Sequence, residues 1–205
     1  MLTEVLHRIV ENPWIYERVQ FLAGAEHIRR RLVAQIAPLS TATSVLDLGG
    51  ETGLYRSLWP CACNYVCLDI DMIKLEGFLS KQPSEIALCA NATQVPIRSG
   101  SVDVVLCMAV SHHLTDQLLE QLINESVRVL KDGGAFIFMD AVWEPSKLAG
   151  RLLWKYDRGG YPRTAEYLRS VVSSHYRLVH DEQYSVYHEY LLCVGVKHFR
   201  NLSDL

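Results

Sequence analysis

Asp47 and Asp69 are the two residues whose setting suggests chemistry. Val45-Leu46-Asp47-Leu48 runs straight into Gly49-Gly50-Glu51-Thr52-Gly53, and Tyr65-Val66-Cys67-Leu68 ends on Asp69. An apolar run followed by a glycine turn reads as a buried strand entering a loop where backbone must come close to a ligand. In a nicotinamide fingerprint the strand stays apolar up to the glycines, and the helix that follows takes a pyrophosphate. Here a carboxylate stands at the mouth of the loop. It suits a cationic or hydroxyl-rich ligand and repels a phosphate. Asp69, roughly twenty residues past the loop, is placed to accept ribose hydroxyls. Further on, His112 and His113 follow the apolar run Asp103-Val104-Val105-Leu106-Cys107-Met108. Imidazole titrates in the working range, so either ring could take a proton from a hydroxyl.

S-adenosylmethionine (SAM) has the ammonium, sulfonium and ribose hydroxyls that such a site wants, and no phosphate. The chain resembles the class I SAM-dependent methyltransferases over about residues 25 to 200. Its stations come in family order. Val45-Leu46-Asp47-Leu48-Gly49-Gly50-Glu51-Thr52-Gly53 stands against D-x-G-x-G-x-G, and Tyr65-Val66-Cys67-Leu68-Asp69-Ile70-Asp71 puts Asp69 in the ribose position. Ala90-Asn91-Ala92-Thr93-Gln94-Val95-Pro96-Ile97 follows, then Asp103 to Met108 with Ser111-His112-His113-Leu114. Val129-Leu130-Lys131-Asp132-Gly133-Gly134-Ala135 is a weaker fifth.

The resemblance implies an α/β, Rossmann-like doubly wound sheet of seven strands. Most would be parallel, with an antiparallel C-terminal hairpin and helices on both faces. It implies SAM as cofactor and S-adenosylhomocysteine (SAH) as product. The cofactor contacts it implies are Asp47, Gly49, Gly50, Glu51, Gly53, Asp69, Ile70, Asn91, Ala92 and Met108. Tyr16 and Gln20, four apart on one helix face, join them if the N-terminal helices form a lid. Two positions depart from the pattern. Glu51 replaces the middle glycine, and must swing away, pair with the cofactor's ammonium, or obstruct it. Asn91 replaces the usual aspartate and can still accept through its carbonyl oxygen.

The elements that must position these residues follow from periodicity. Residues 1–40 read as helices broken at Asn12-Pro13, and Arg29-Arg30-Arg31 as a solvated face. A first core helix is expected from Tyr55, ended by Pro60. A second is expected over Asp71 to Leu79, with Asp71 near its N-terminus. Strands are expected at Ile86 to Ala90, Val102 to Met108 and Ala135 to Met139, the last entered by a turn at Gly133-Gly134. Leu118, Leu119, Leu122, Val127 and Val129 mark an amphipathic helix. Tyr176 to Val179 and Tyr187 to Val196 lie too close together for a helical crossover, so they should pair antiparallel.

Between the fifth strand and that hairpin, residues 141–174 carry Trp143, Trp154, Tyr156, Tyr161 and Tyr167 with Arg151, Arg158 and Arg163. This insert is expected to form a substrate wall of Asp140, Trp143, Arg158, Tyr161 and Arg163, with aromatics for stacking and arginine for an anion. Thr164 is placed to cap the helix that follows.

A chain of 205 residues with net charge −3 suits a single domain with a full core. No basic stripe marks nucleic acid, and no run approaches the ~20 apolar residues of a membrane span. The N-terminus has no signal-like core, so a cytoplasmic protein, monomer or homodimer, is expected. The cysteines in strands read as small buried hydrophobes, with no metal site.

The expected function is transfer of a SAM methyl, by in-line displacement, to O, N or C of a small anionic or aromatic acceptor. His112 and His113 would be the catalytic candidates. The alternative is a SAM-fold protein without methyl transfer, either a non-methylating enzyme or a non-catalytic binding subunit, with Glu51 as its motive.

Overall fold

A computed structural model describes residues 25–147, 154, 159–186 and 188–197. Seven strands form one sheet in the order β3-β2-β1-β4-β5-β7-β6. They are β1 (Ser44–Leu48), β2 (Asn64–Asp69), β3 (Ile86–Cys89), β4 (Val102–Met108), β5 (Leu130–Val142), β6 (Tyr176–Ser185) and β7 (Glu189–Lys197). The first five run parallel; β7 is antiparallel to β5 and to β6. The helices are α1 (Ala25–Ile36), α2 (Met72–Lys81), α3 (Asp116–Val129) and α4 (Ala165–Ser173). The strand order reverses between β1 and β4, which in a sheet of this kind opens a crevice at the carboxyl ends of those two strands. Asp47, His112 and Asp140 gather at that rim.

Each central strand is apolar on both sides because both faces are covered. Leu46, Leu48, Val105, Phe136, Phe138 and Leu191 point into a core closed by α3 and α4. Val45, Tyr65, Leu106, Ile137 and Leu192 face the opposite core, with Ile28, Leu32 and Ile36 of α1 and Phe78 of α2. The C-terminal half of the N-terminal region is therefore a packing helix. Arg31 in it is half-buried against Glu182, 3.0 Å away, so the basic triplet is not wholly a solvated face. Asp71 caps α2 through Ile73 N and Lys74 N, Thr115 caps α3, and Thr164 caps α4.

Three local expectations are corrected. Between Gly53 and Pro60 the chain makes only a 3-10 turn, Arg56–Leu58, in place of a core helix. So few residues before a proline leave no room for a second turn of helix. Gly133-Gly134 does not end an element but lies within β5, beside an irregular register against β4. A Cβ on Gly134 would meet Asp103 O at 3.0 Å, so the strand continues only because nothing projects there. Cys89, on the edge strand β3, is exposed, unlike Cys67, Cys107 and Cys193. Among the described residues no helix is long and apolar enough to cross a membrane.

Gly53 tests the seating of the loop on α2. It has φ +73°, and a Cβ there would lie 2.2 Å from the Phe78 ring. Gly53→Ala is expected to cost about 2–4 kcal/mol in urea unfolding, from left-handed strain and overpacking together. A loss under about 0.5 kcal/mol would show that the loop is free to move off Phe78.

Candidate active site

The glycine loop is built around two acids. Asp47 is fully buried beneath it and accepts a hydrogen bond from Tyr65 Oη. Gly50 lies directly over this carboxylate: a Cβ there would meet Asp47 Oδ2 and Cys67 Sγ, both at 2.7 Å. Burial pushes the Asp47 carboxyl up to about 7, against the Tyr65 hydrogen bond and with the charges of Asp69 and Glu51 adding to the rise. Gly49 and Gly50 both donate their N–H groups to Leu68 O, at 2.8 and 3.1 Å, tying the loop to the end of β2. At that end Asp69 accepts from Glu51 N at 3.1 Å and from Asp71 N at 2.8 Å. A carboxylate has about four acceptor positions, so two remain for hydroxyls.

Of the three courses open to Glu51, the structure takes the first. Its backbone adopts φ +49°, and its side chain turns outward to an ion pair with Lys74 of α2. Ile70, beside Asp69, is 75% exposed. Asn91 is exposed past the end of β3, and its Oδ1 already accepts from Thr93 N and Thr93 Oγ1, each at 2.9 Å. With both acceptor positions of the carbonyl engaged by Thr93, the amide NH2 is the group it has left to offer. Ala92 is half-buried next to it and Met108 is buried at the end of β4. Tyr16, Gln20 and Arg158 lie outside the described residues.

On the other side of the crevice, Asp140 is a hub. It has no exposed surface, and it accepts from Ser111 N (2.7 Å), Ser111 Oγ (2.5 Å), Ala141 N (2.7 Å) and His112 N (3.3 Å). His112 Nδ1 lies 2.6 Å from Asp140 Oδ1. Burial raises the Asp140 carboxyl, but the His112 charge and these hydrogen bonds outweigh it and hold the group below its ordinary value. An ionised carboxylate only accepts, so His112 Nδ1 carries a proton toward it. His113 is exposed, its ring 4.1 Å from that of His112. The sequence treated Asp140 and His112 separately; only the fold shows that they are one unit.

The insert holds this unit in place. Arg163, expected to meet an anion, is buried, and its guanidinium donates to Asp116 Oδ1 (2.8 Å), Ser111 O (2.7 Å), Leu114 O (2.6 Å) and Tyr161 O (3.2 Å). Its donors are consumed by the turn that carries the histidines, so it braces that turn. Tyr161 N donates to His112 O at 3.0 Å, while the Tyr161 ring is exposed. Trp143 is half-buried, and its backbone N–H donates to Arg163 O at 2.7 Å. The two halves of the crevice also touch: a Cβ on Gly49 would meet Val110 Cγ2 at 2.5 Å.

Comparison with known proteins agrees with this geometry. A methyltransferase-domain family model matches residues 46–138. The human thiol S-methyltransferase TMT1A is 33% identical over 116 residues, which are 53% of this chain and 46% of that one. The Arabidopsis thaliana tRNA (carboxymethyluridine(34)-5-O)-methyltransferase is 32% identical over 145 residues, 69% of this chain and 33% of that one. These similarities, together with the seven-stranded fold, support a class I SAM-dependent methyltransferase. It spans about half the length of the human relative and a third of the Arabidopsis one. N-methyltransferase NodS from Bradyrhizobium japonicum WM9, solved in complex with SAH, has the same fold, with TM-score 0.65 over 82% of this chain and 86% of that one at 16% identity.

The family's cofactor is SAM, and the residues present fit it. Gly50 leaves the backbone bare above Asp47, Asp69 retains acceptor positions, and the exposed Ile70 offers a face for a ring. Two predictions follow from the charges around the loop. Because Glu51 already pairs with Lys74, Glu51→Gly is expected to change SAM affinity less than about threefold in calorimetry, given the small worth of a part-exposed ion pair. Tightening beyond tenfold would show that the carboxylate obstructs. Asp47 holds its proton more firmly folded than unfolded, so its contribution to stability is complete below pH 4 and is lost as pH rises through about 7. Asp47→Asn should therefore stabilise the ligand-free protein at pH 8 by on the order of 2–4 kcal/mol and have little effect at pH 4. A wild type more stable than the variant at pH 8 would contradict this.

Proposed function

We propose that the protein transfers the methyl group of SAM to a small-molecule acceptor whose attacking atom, an oxygen or sulfur, must lose a proton. The observation that carries this is the His112–Asp140 pair at the crevice rim, 2.6 Å apart and braced from behind by Arg163. Bound SAM would supply an activated methyl on a sulfonium, open to in-line displacement.

The chain's own residues have three tasks. Asp69 and the glycine loop hold the nucleoside, with Ile70 against its ring and the Asn91 amide at its edge. Asp47, buried at the loop, favours a cation nearby, and a cation in turn favours its ionised form. His112, with its proton fixed on Nδ1 by Asp140, presents Nε2 as a base for the acceptor's proton. A base is of use only where the nucleophile is protonated at working pH, which favours a hydroxyl or thiol over an amine already carrying a lone pair. The similarity to thiol S-methyltransferases supports a small acceptor and adds sulfur to the atoms considered. The similarity to a tRNA methyltransferase supports the fold and cofactor equally well, but no basic stripe accompanies this site among the described residues. The alternative of a SAM fold without methyl transfer loses its motive, since Glu51 turns away to Lys74.

The test is SAH release from SAM with a panel of small thiols and phenols, in wild type and His112→Ala. The variant is expected to lose on the order of 10²-fold in kcat at neutral pH and to recover as the acceptor ionises by itself at higher pH, with SAM affinity unchanged. A loss that is the same at every pH would leave His112 a packing role. SAM binding without turnover on any member of the panel would point to another acceptor class.

A further inference from the structure

A row of aromatic rings leads away from the His112–Asp140 pair. The Trp154 ring lies 5.8 Å from His112 and 5.3 Å from His188, both edge-on. His188 lies 6.1 Å from Tyr190, which stacks on Tyr184 at 5.6 Å and 21°. Tyr190 stands opposite Ala141 in the sheet, one residue past Asp140, so the row follows the carboxyl-end rim of the crevice. Its far end returns to the cofactor side. Tyr55, two residues past Gly53 of the loop, packs with Tyr190 against the buried cluster that holds Tyr184. The rings thus connect the residue that would take the proton with the loop that would hold the cofactor.

Trp154 Nε1 and Tyr184 Oη are among the buried polar atoms of this row that make no hydrogen bond within the described residues. Trp154 is 8% exposed and Tyr184 is 6% exposed, and among the described residues neither Trp154 Nε1 nor Tyr184 Oη has a hydrogen-bond partner. A buried indole N–H or phenol without a partner is costly and seldom kept by a packed core for its own sake. Aromatic residues that serve packing alone would be as well supplied by phenylalanine. Both atoms can donate, so the group they lack is an acceptor.

We infer that this row is the acceptor subsite, and that it takes a planar aromatic molecule bearing, besides its hydroxyl or thiol, a second oxygen that accepts a hydrogen bond from Tyr184 or Trp154. This rests on the methyl-transfer reading above and narrows its acceptor. The anion expected at Arg163 gives way to a neutral or weakly charged oxygen met by neutral donors. The Tyr184 ring is itself covered by Tyr190 and by Arg31, 4.1 Å from its centroid, so Tyr184 offers its hydroxyl and the stacking falls to the other rings of the row.

Calorimetry with three probes tests the inference, each titrated with and without saturating SAH. The probes are 4-hydroxyacetophenone, phenol, and the ring-saturated 1-(4-hydroxycyclohexyl)ethanone. The ring-and-carbonyl probe is expected to bind about tenfold tighter than either of the others, one difference reporting the ring and the other the oxygen. Tyr184→Phe and Trp154→Phe are then measured singly. At least one should erase the advantage over phenol. Tyr184→Phe, which removes only a hydroxyl that makes no internal hydrogen bond, should keep the melting temperature within error, whereas Trp154→Phe also loses buried ring and is read by the ratio of the two probe affinities alone. Equal affinities for the three probes, no binding of 4-hydroxyacetophenone at millimolar concentration, or an advantage that survives both variants would overturn the subsite. Should a variant fail to fold, the three-probe comparison on the wild type still decides. Failure of SAH to bind would instead sink the methyl-transfer reading, and it is seen separately from any preference for the ring.

Discussion

The carboxylate of Asp69 receives backbone N–H groups from two neighbouring segments: Glu51 from the glycine loop and Asp71 from the start of α2. This fixes the loop against the second strand. It holds Glu51 in a left-handed conformation that only a restrained residue adopts at acceptable cost, and it aims the remaining lone pairs outward. Gly49, Gly50 and Gly53 can then approach their neighbours as closely as they do, and the outward side chain of Glu51 finds Lys74 on the same helix whose N-terminus Asp71 caps. Loop, strand tip and helix start form one assembly centred on a single acid.

Across the sheet, Asp140 organises its surroundings in the same manner. It collects the backbone and side chain of Ser111, the backbone of Ala141 and the imidazole of His112, so that one buried charge orders a whole turn. Arg163 closes the turn from the other side through its carbonyls. The residue between the two assemblies, Ala109, is also left-handed, with φ +57°. The two non-glycine residues in that conformation among those described thus stand in the loops after β1 and β4, where the strand order reverses. Strain gathered there is consistent with a crevice kept in shape for a ligand.

Much of this was legible beforehand. A strand ending on an acid, followed by glycines, can be recognised because burial, charge and backbone freedom each leave a residue type behind, at Asp47, Asp69 and Gly50. The C-terminal hairpin follows from the short gap between Val179 and Tyr187, although the strands themselves run Tyr176–Ser185 and Glu189–Lys197. Other features leave no such trace. Arg163 looks the same in sequence whether it meets a substrate or the carbonyls of Ser111 and Leu114, since the difference lies in a contact across many residues. Asp140 and His112 meet only because β4 and β5 are neighbours. The spent carbonyl of Asn91 depends on the Thr93 hydroxyl, and the aromatic row joins residues from the insert, β6 and β7. A glycine pair such as Gly133-Gly134 reads equally as a turn or as a bare stretch of strand until its neighbour Asp103 is in place.

The claim on which the rest depends is that Asp69 and the loop it anchors hold the nucleoside. Calorimetric titration of SAH into wild type and Asp69→Ala, with melting curves confirming that both are folded, tests it most directly. Micromolar or tighter binding that weakens by about 1–3 kcal/mol in the variant is the expected result. Absence of binding to the folded wild type, or identical affinity in the two proteins, would contradict it.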